Sequence, residues 1–215
     1  MIDKIDINKL TKVLPIFPLP GAIVLPNGNL PLNIFEPRYI SMVESVLGSH
    51  RMIGMIQPFQ KKNDKDNLYP VGCAAKITSF SETSDNRYLI ELKGVIRFKI
   101  IKELEVTQGF RNIEPDWVPF NKDLYLDFEK VNILHLLDQL KIYFNNNNIS
   151  VDFSEISKIS NEQIIAAIPQ ICSFTPVEKQ AILEAQSEQE ILEVLISLLK
   201  MNLLGDNEKN DKTIN

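Results

Sequence analysis

Turn signals punctuate residues 13–118 so often that no long helix fits between them, apart from one short helical run after Pro37. Pro18, Pro20 and Gly21 break the chain first, followed by Pro26, Asn27 and Gly28. The charged stretch 61–67, the polar stretch 81–86 and Gly94 interrupt it again further on. What remains is a series of about seven short runs, with turns at roughly 8–12 residue intervals. They fall at 13–17, 22–25, 30–35, 51–57, 69–80, 87–93 continuing past Gly94 to 95–101, and 110–118. Tyr88, Ile90 and Leu92, then Ile96, Phe98 and Ile100, alternate as a half-buried strand does. The spacing predicts a closed or nearly closed β-barrel, with a sharp bend or bulge at Gly94. Pro15 predicts that the first strand lies at a sheet edge, because proline cannot donate to a ladder. Asn27-Gly28 predicts a tight hairpin returning 22–25 onto 30–35.

Residues 30–39 join sheet to helix. Leu30-Pro-Leu-Asn-Ile-Phe35 reads as a strand, and Pro37 suits the first helical position, where its missing N–H would be unpaired anyway. Tyr39, Ile40, Val43, Val46 and Leu47 then share one face, and Gly48 predicts a left-handed helix stop. Phe35 is expected in the core under this helix. Residues 123–145 predict one long helix containing His135. Three capping boxes follow, Ser160 with Gln163, Thr175 with Glu178, and Ser187 with Glu190, and they predict a short helical bundle. The last helix carries a wide apolar stripe from Ile191 to Leu199, which suits a central place in that bundle. The expected organisation is a β-barrel subdomain at 1–120, a helical subdomain at 121–205 and a disordered tail at 206–215.

Charge separates the same two regions. Residues 12–120 hold 13 basic against 11 acidic side chains, and residues 121–204 hold 6 against 12. Neither has the basic excess of a nucleic-acid binder. No apolar run approaches the roughly 20 residues of a membrane span, and the acidic N-terminus lacks the basic start of a secretory signal. A cytoplasmic protein is expected. Cys73 and Cys172 lie far apart among apolar neighbours and read as buried free thiols. His50 and His135 have no partner at metal-ligand spacing, so neither metal nor cofactor is expected.

Leu14-Pro-Ile-Phe-Pro-Leu-Pro-Gly21 and Leu25-Pro-Asn-Gly-Asn-Leu-Pro-Leu-Asn-Ile-Phe-Glu-Pro-Arg-Tyr39 resemble the N-terminal substrate-binding domain of Lon proteases. Ile53-Gly-Met55, Tyr69-Pro-Val-Gly-Cys-Ala-Ala75 and Leu92-Lys-Gly-Val-Ile-Arg-Phe98 follow in the family's order. The resemblance is close over residues 13–98 and extends to the helical part only in pattern. It implies an α+β fold, a PUA-like β-barrel followed by a small α-helical bundle. It also implies a module that holds unfolded or tagged polypeptides or a protein partner. The sequence has no Gly-x-x-x-x-Gly-Lys-Ser/Thr phosphate loop and no Gly-x-Ser-x-Gly elbow. A non-catalytic, standalone recognition module is therefore expected, with a Lon protease in trans as one candidate partner. PUA-like RNA binding is the rival reading, which the charge balance disfavours.

The polypeptide-binding candidates are Phe17, Leu19, Arg38, Tyr39, Met52 and Met55, with Phe35 and Phe59 beside them. Methionine and aromatic side chains adapt to varied apolar partners. An extended client is expected to dock along the edge at 13–19 and the junction at 35–39. Glu36 and Arg38 have a plain structural reading, the acid satisfying helix N–H groups and the arginine clamping a neighbour.

Overall fold

The structure is a computed structural model describing residues 6–59, 67–106, 109–125, 128–156 and 158–211, with side chains to residue 203 except that of residue 129. The predicted loop at 61–67 lies outside these residues save for Asn67, as do residues 212–215.

Six strands form one sheet among the described residues. They are β1 (Leu14–Pro18), β2 (Asn29–Ile34), β3 (Met52–Ile56), β4 (Val71–Glu82), β5 (Tyr88–Glu103) and β6 (Arg111–Asp116). Their order is β2-β5-β4-β3-β1-β6, and the far end of β5 pairs again with β6. Five strands therefore close a circuit, and β2 is attached to β5 outside it. β5 manages two sets of partners because it is 16 residues long, roughly 50 Å at the usual rise of a strand. Its first part pairs with β2 and β4, and Lys99 to Glu103 pair with β6. Inside the circuit, on the face shared with Gly54, Leu14, Ile16, Ile96, Phe98 and Ile113 are buried, while Ile53 and Met55 are buried on the other face of β3. The Phe98 ring fills space left by Gly54 and Gly72, where an added Cβ would come within 3.1 Å and 2.5 Å of it.

The first strand is not an edge. β1 pairs in parallel with β3 and antiparallel with β6. Pairing to β3 begins only at Ile16, so Pro15 sits near the strand's start, where a missing donor is tolerated. Residues 22–25 are not a strand, and the expected hairpin does not form. The chain there crosses the bend of β5. The Asn27 N–H donates to the Gly94 carbonyl (3.0 Å), and the Gly94 N–H donates to the Gly28 carbonyl (2.8 Å). A Cβ at Gly94 would lie 2.0 Å from the Leu25 oxygen, so only glycine admits this crossing. The ladder register slips at the same place, between Ala74 and Ala75 of β4, as the bulge expectation requires.

Helix α1 (Pro37–Leu47) covers the sheet with Tyr39, Met42, Val43 and Val46. It does not end in a left-handed glycine. Gly48 stays right-handed at φ −79°, and Arg51 takes the positive φ of 57° instead. Phe35 is not core either. Strand alternation turns Ile34 inward, leaving Phe35 62% exposed, with the Arg87 guanidinium 5.8 Å from its ring.

The predicted long helix at 123–145 is broken into two 3-10 segments, Val118–Tyr125 and Phe128–Lys130, before α2 (Leu134–Asn146). Within the first of these, Asp123 turns its carboxylate into the core toward Arg97 of β5. The chain continues through α3 (Phe153–Ile156), α4 (Asn161–Ile171), α5 (Pro176–Glu184) and α6 (Glu188–Asp211). Ser160 and Thr175 cap α4 and α5 as expected, and the Ser187 hydroxyl accepts from the Glu190 N–H at 3.2 Å. Ile191, Leu192, Leu195, Leu198 and Leu199 are buried, so the stripe on α6 is central. The helix runs through residue 205 to Asp211, into the segment read from sequence as tail.

Sheet and helices share one continuous core, and buried polar groups tie them together. The Gln57 amide donates to the Pro176 carbonyl (2.9 Å) and to Gln180 (3.1 Å), whose own amide donates to the Val71 carbonyl (3.1 Å). Arg97 bonds Asp123 and also donates to the carbonyls of Leu183 and Ala185.

Candidate functional site

The joint between β2 and α1 builds one wall of the candidate site. Glu36 precedes the helix but makes no side-chain bond to its N–H groups. Its carboxylate instead accepts from Arg38 Nε at 3.0 Å and lies 2.8 Å from Nη2. This exposed pair holds the Arg38 guanidinium over the Tyr39 ring, 4.6 Å from its centre. Tyr39 packs in turn on Phe17, with ring centres 4.1 Å apart. Burial is the main influence on the Tyr39 phenol and raises its pKa, against an opposing pull from Arg38. Phe17, Arg38 and Tyr39 are thus brought together, although Phe17 and Tyr39 are buried rather than exposed.

Arg38 and Tyr39 border a recess of about 230 Å³, completed by Pro18, Pro58, Gly109, Phe110 and Arg111, while Phe17 is buried behind Tyr39 and does not line it. Arg111 donates to Glu103 through Nε (3.0 Å) and Nη2 (2.5 Å). Buried Phe110 also forms part of a second, wider trough of about 450 Å³ between β1 and the end of α1, with Val13, Pro15 and His50 in its walls. Nδ1 of His50 accepts the Met52 N–H at 3.0 Å, and burial lowers its pKa below 6.5. The two recesses offer proline, aromatic and aliphatic surface between ion pairs that are already formed. Such a surface can seat apolar side chains and stack against peptide planes, and its partial exposure leaves room for an extended chain.

The other candidates stand elsewhere. Met52 and Met55 are buried in β3, Met55 with only 1% of its surface exposed, so both are core side chains. β3 is covered on both faces, which its continuous apolar run requires. Leu19 is half-buried and held by its N–H to the Ile56 carbonyl (3.0 Å), but it lines neither recess. Phe59 packs on Tyr69 at 5.1 Å. Phe110, Arg111, Pro58 and His50 were not foreseen. The only hint was Gly109, which takes φ 81° where the chain swings Phe110 toward α1, and nothing in sequence ties residue 110 to residue 38.

Among the described residues no group of three or more His, Cys, Asp or Glu side chains could hold a metal ion, and no helix is long and apolar enough to cross a membrane. Burial raises the pKa of Cys73 and lifts that of Cys172 to about 12. Both thiols are thereby held protonated, the opposite of what a nucleophile needs.

A closed strand circuit backed by helices, with a partly aromatic groove at the sheet–helix joint, defines an α+β recognition fold. The model of the ATP-dependent protease La (LON) substrate-binding domain matches residues 13–201, and the chain belongs to that family. It is 26% identical over 209 residues to the Lon protease of Elusimicrobium minutum, which covers 91% of this chain and 24% of that one. The Lon protease 2 of Sorangium cellulosum is 33% identical over 92 residues, covering 40% of this chain and 11% of that one. The chain thus spans at most about a quarter of the length of these relatives. Two solved structures share the fold. The Lon N-terminal domain protein from Xanthomonas campestris matches with a TM-score of 0.61 and 17% identity, over 87% of this chain and 98% of that one. The N-terminal domain of the Mycobacterium avium complex Lon protease matches with a TM-score of 0.62 and 15% identity, over 88% and 98%.

Proposed function

We propose that this chain binds unfolded or extended polypeptide, and that residues 13–201 supply recognition rather than chemistry. The observation carrying this reading is the groove that brings Arg38, Tyr39, Phe110 and Arg111 together in a member of a substrate-binding family. Its arginines are paired with Glu36 and Glu103, so little net charge is left to attract phosphate, and apolar contact dominates. Shallow sites of this kind give modest affinity, roughly 1–100 μM. A client held there could be passed to a protease acting in trans.

The test is a titration of fluorescein-labelled, reduced and carboxymethylated lactalbumin, alongside a labelled single-stranded RNA, at low and moderate salt. Polypeptide binding that changes little with salt is expected, because apolar burial is not screened. RNA binding that falls steeply with salt, without polypeptide binding, would overturn the proposal.

A further inference from the structure

The circuit of five strands has no open edge, but β2 stands outside it and pairs only with β5 among the described residues. Two hydrogen bonds establish which of its backbone groups face outward. The Gly28 carbonyl accepts from Gly94 on the β5 side (2.8 Å), whereas the Asn29 carbonyl accepts from the Gln170 side chain of α4 (2.7 Å). Successive residues of a strand turn their backbone groups to opposite sides. Leu30, Leu32 and Ile34 therefore bond to β5, while Pro31 and Asn33 present theirs to solvent. The outward groups are one acceptor from Pro31, with no donor, then one donor and one acceptor from Asn33.

The side chains along this edge are exposed as well. Pro31, Asn33 and Phe35 lie on the outer face of the sheet. Leu89 of β5, directly opposite Asn33, is 46% exposed and diagonal to Phe35. An edge with unpaired backbone groups beside an apolar ledge matches one kind of occupant, another chain in extended conformation. Its own groups repeat every two residues, roughly 7 Å, as do those of Pro31 and Asn33.

We infer that an extended segment of a polypeptide client adds as a further strand on β2, bonding to the Pro31 carbonyl and to both backbone groups of Asn33, with an apolar side chain laid on Phe35 and Leu89. This inference rests on the polypeptide-binding reading above and places part of that binding on a different surface from the groove at Arg38 and Tyr39. Pro31 limits the edge in a useful way. Its missing donor interrupts any long ladder, which discourages open-ended aggregation, yet its carbonyl still accepts from a client. A second copy of β2 is a poorer occupant, since it would bring its own Pro31 and lose that donor.

The experiment compares the wild-type chain with Asn33→Pro and Asn33→Ala in binding the same labelled lactalbumin. Asn33→Pro removes the outward N–H and no ladder bond, at a position with the same outward orientation as Pro31, and Asn33→Ala removes only the side chain. Asn33→Pro is expected to weaken binding about tenfold, the loss of one backbone bond with the added ring obstructing the edge. Asn33→Ala should stay within about twofold. Circular dichroism and the thermal midpoint verify that each variant folds. Amide hydrogen exchange on the wild type gives a second measurement, in which client must slow exchange at Asn33. Wild-type binding with an unchanged Asn33→Pro and no protection at Asn33 overturns the β2 site and leaves the polypeptide reading standing. No binding by the wild type overturns both. A dimer in sedimentation that Asn33→Pro dissociates overturns the client in favour of a second copy.

Discussion

Replacing Asp123 with Asn should destabilise the whole chain although it lies far from any surface. The Arg97 and Asp123 side chains are only 2% and 1% exposed. The Asp123 carboxylate accepts three bonds from Arg97: from the backbone N–H at 2.9 Å, from Nε at 2.8 Å and from Nη2 at 2.6 Å. The guanidinium also reaches the Leu183 and Ala185 carbonyls and lies 4.5 Å from the centre of the Phe120 ring. Asparagine keeps the shape but removes the negative charge and directs a donor toward a cation that has no route to water. Breaking a buried pair by removing one partner costs about 3–5 kcal/mol. In a chain of this length, that lowers the thermal midpoint by roughly 6–20 °C. The assay is thermal and urea unfolding followed by fluorescence of Trp117, the single tryptophan, which is buried against Phe98 at 6.1 Å. A midpoint within two degrees of the wild type would refute the argument, because it would mean that water or another group satisfies Arg97 once the charge is gone.

Phe35→Ala should leave the thermal midpoint nearly unchanged, with a cost below about 1 kcal/mol, because the ring is exposed; a loss of several kcal/mol would show the ring to be buried. Gly94→Ala should cost about 2–3 kcal/mol or more, since its Cβ would meet the Leu25 carbonyl at 2.0 Å, and a normal urea midpoint would contradict the crossing. Burial lowers the pKa of His50 in the folded chain, so the unfolded chain binds the proton more readily. His50 therefore contributes stability that is fully present above about pH 6.5 and is lost as pH falls from there through the folded value. Denaturation midpoints measured downward from pH 7.5 should show this slope, and His50→Gln should flatten it.

The strand-rich half and the helical half were legible because each depends on local chemistry. Turn residues cut the first part into short strands, and the caps at Ser160, Thr175 and Ser187 start helices by bonding within three residues of themselves. The lines of descent visible in Leu14 to Tyr39 likewise identified the family before any geometry was known. Pairing partners were not legible. Pro15 read as an edge because proline lacks a donor, but which side of a strand stays open depends on where β3 and β6 arrive from 38 and 97 residues away.

The candidate site divides the same way. Arg38 and Tyr39 come to line one recess because a local turn joins β2 to α1, whereas Met52 and Met55 are buried, because residue type does not report which face of a sheet is covered. Phe35 illustrates the limit best, since the strand period placed it opposite Ile34 but could not say which of the two faced α1. The sequence alone determined the change from short strands to helices, the capped helix starts and the family, all set by interactions over a few residues. Closure of the circuit, the buried pair of Arg97 with Asp123 and the open side of β2 were decided by tertiary structure, because each depends on groups that only the folded chain brings within hydrogen-bonding distance.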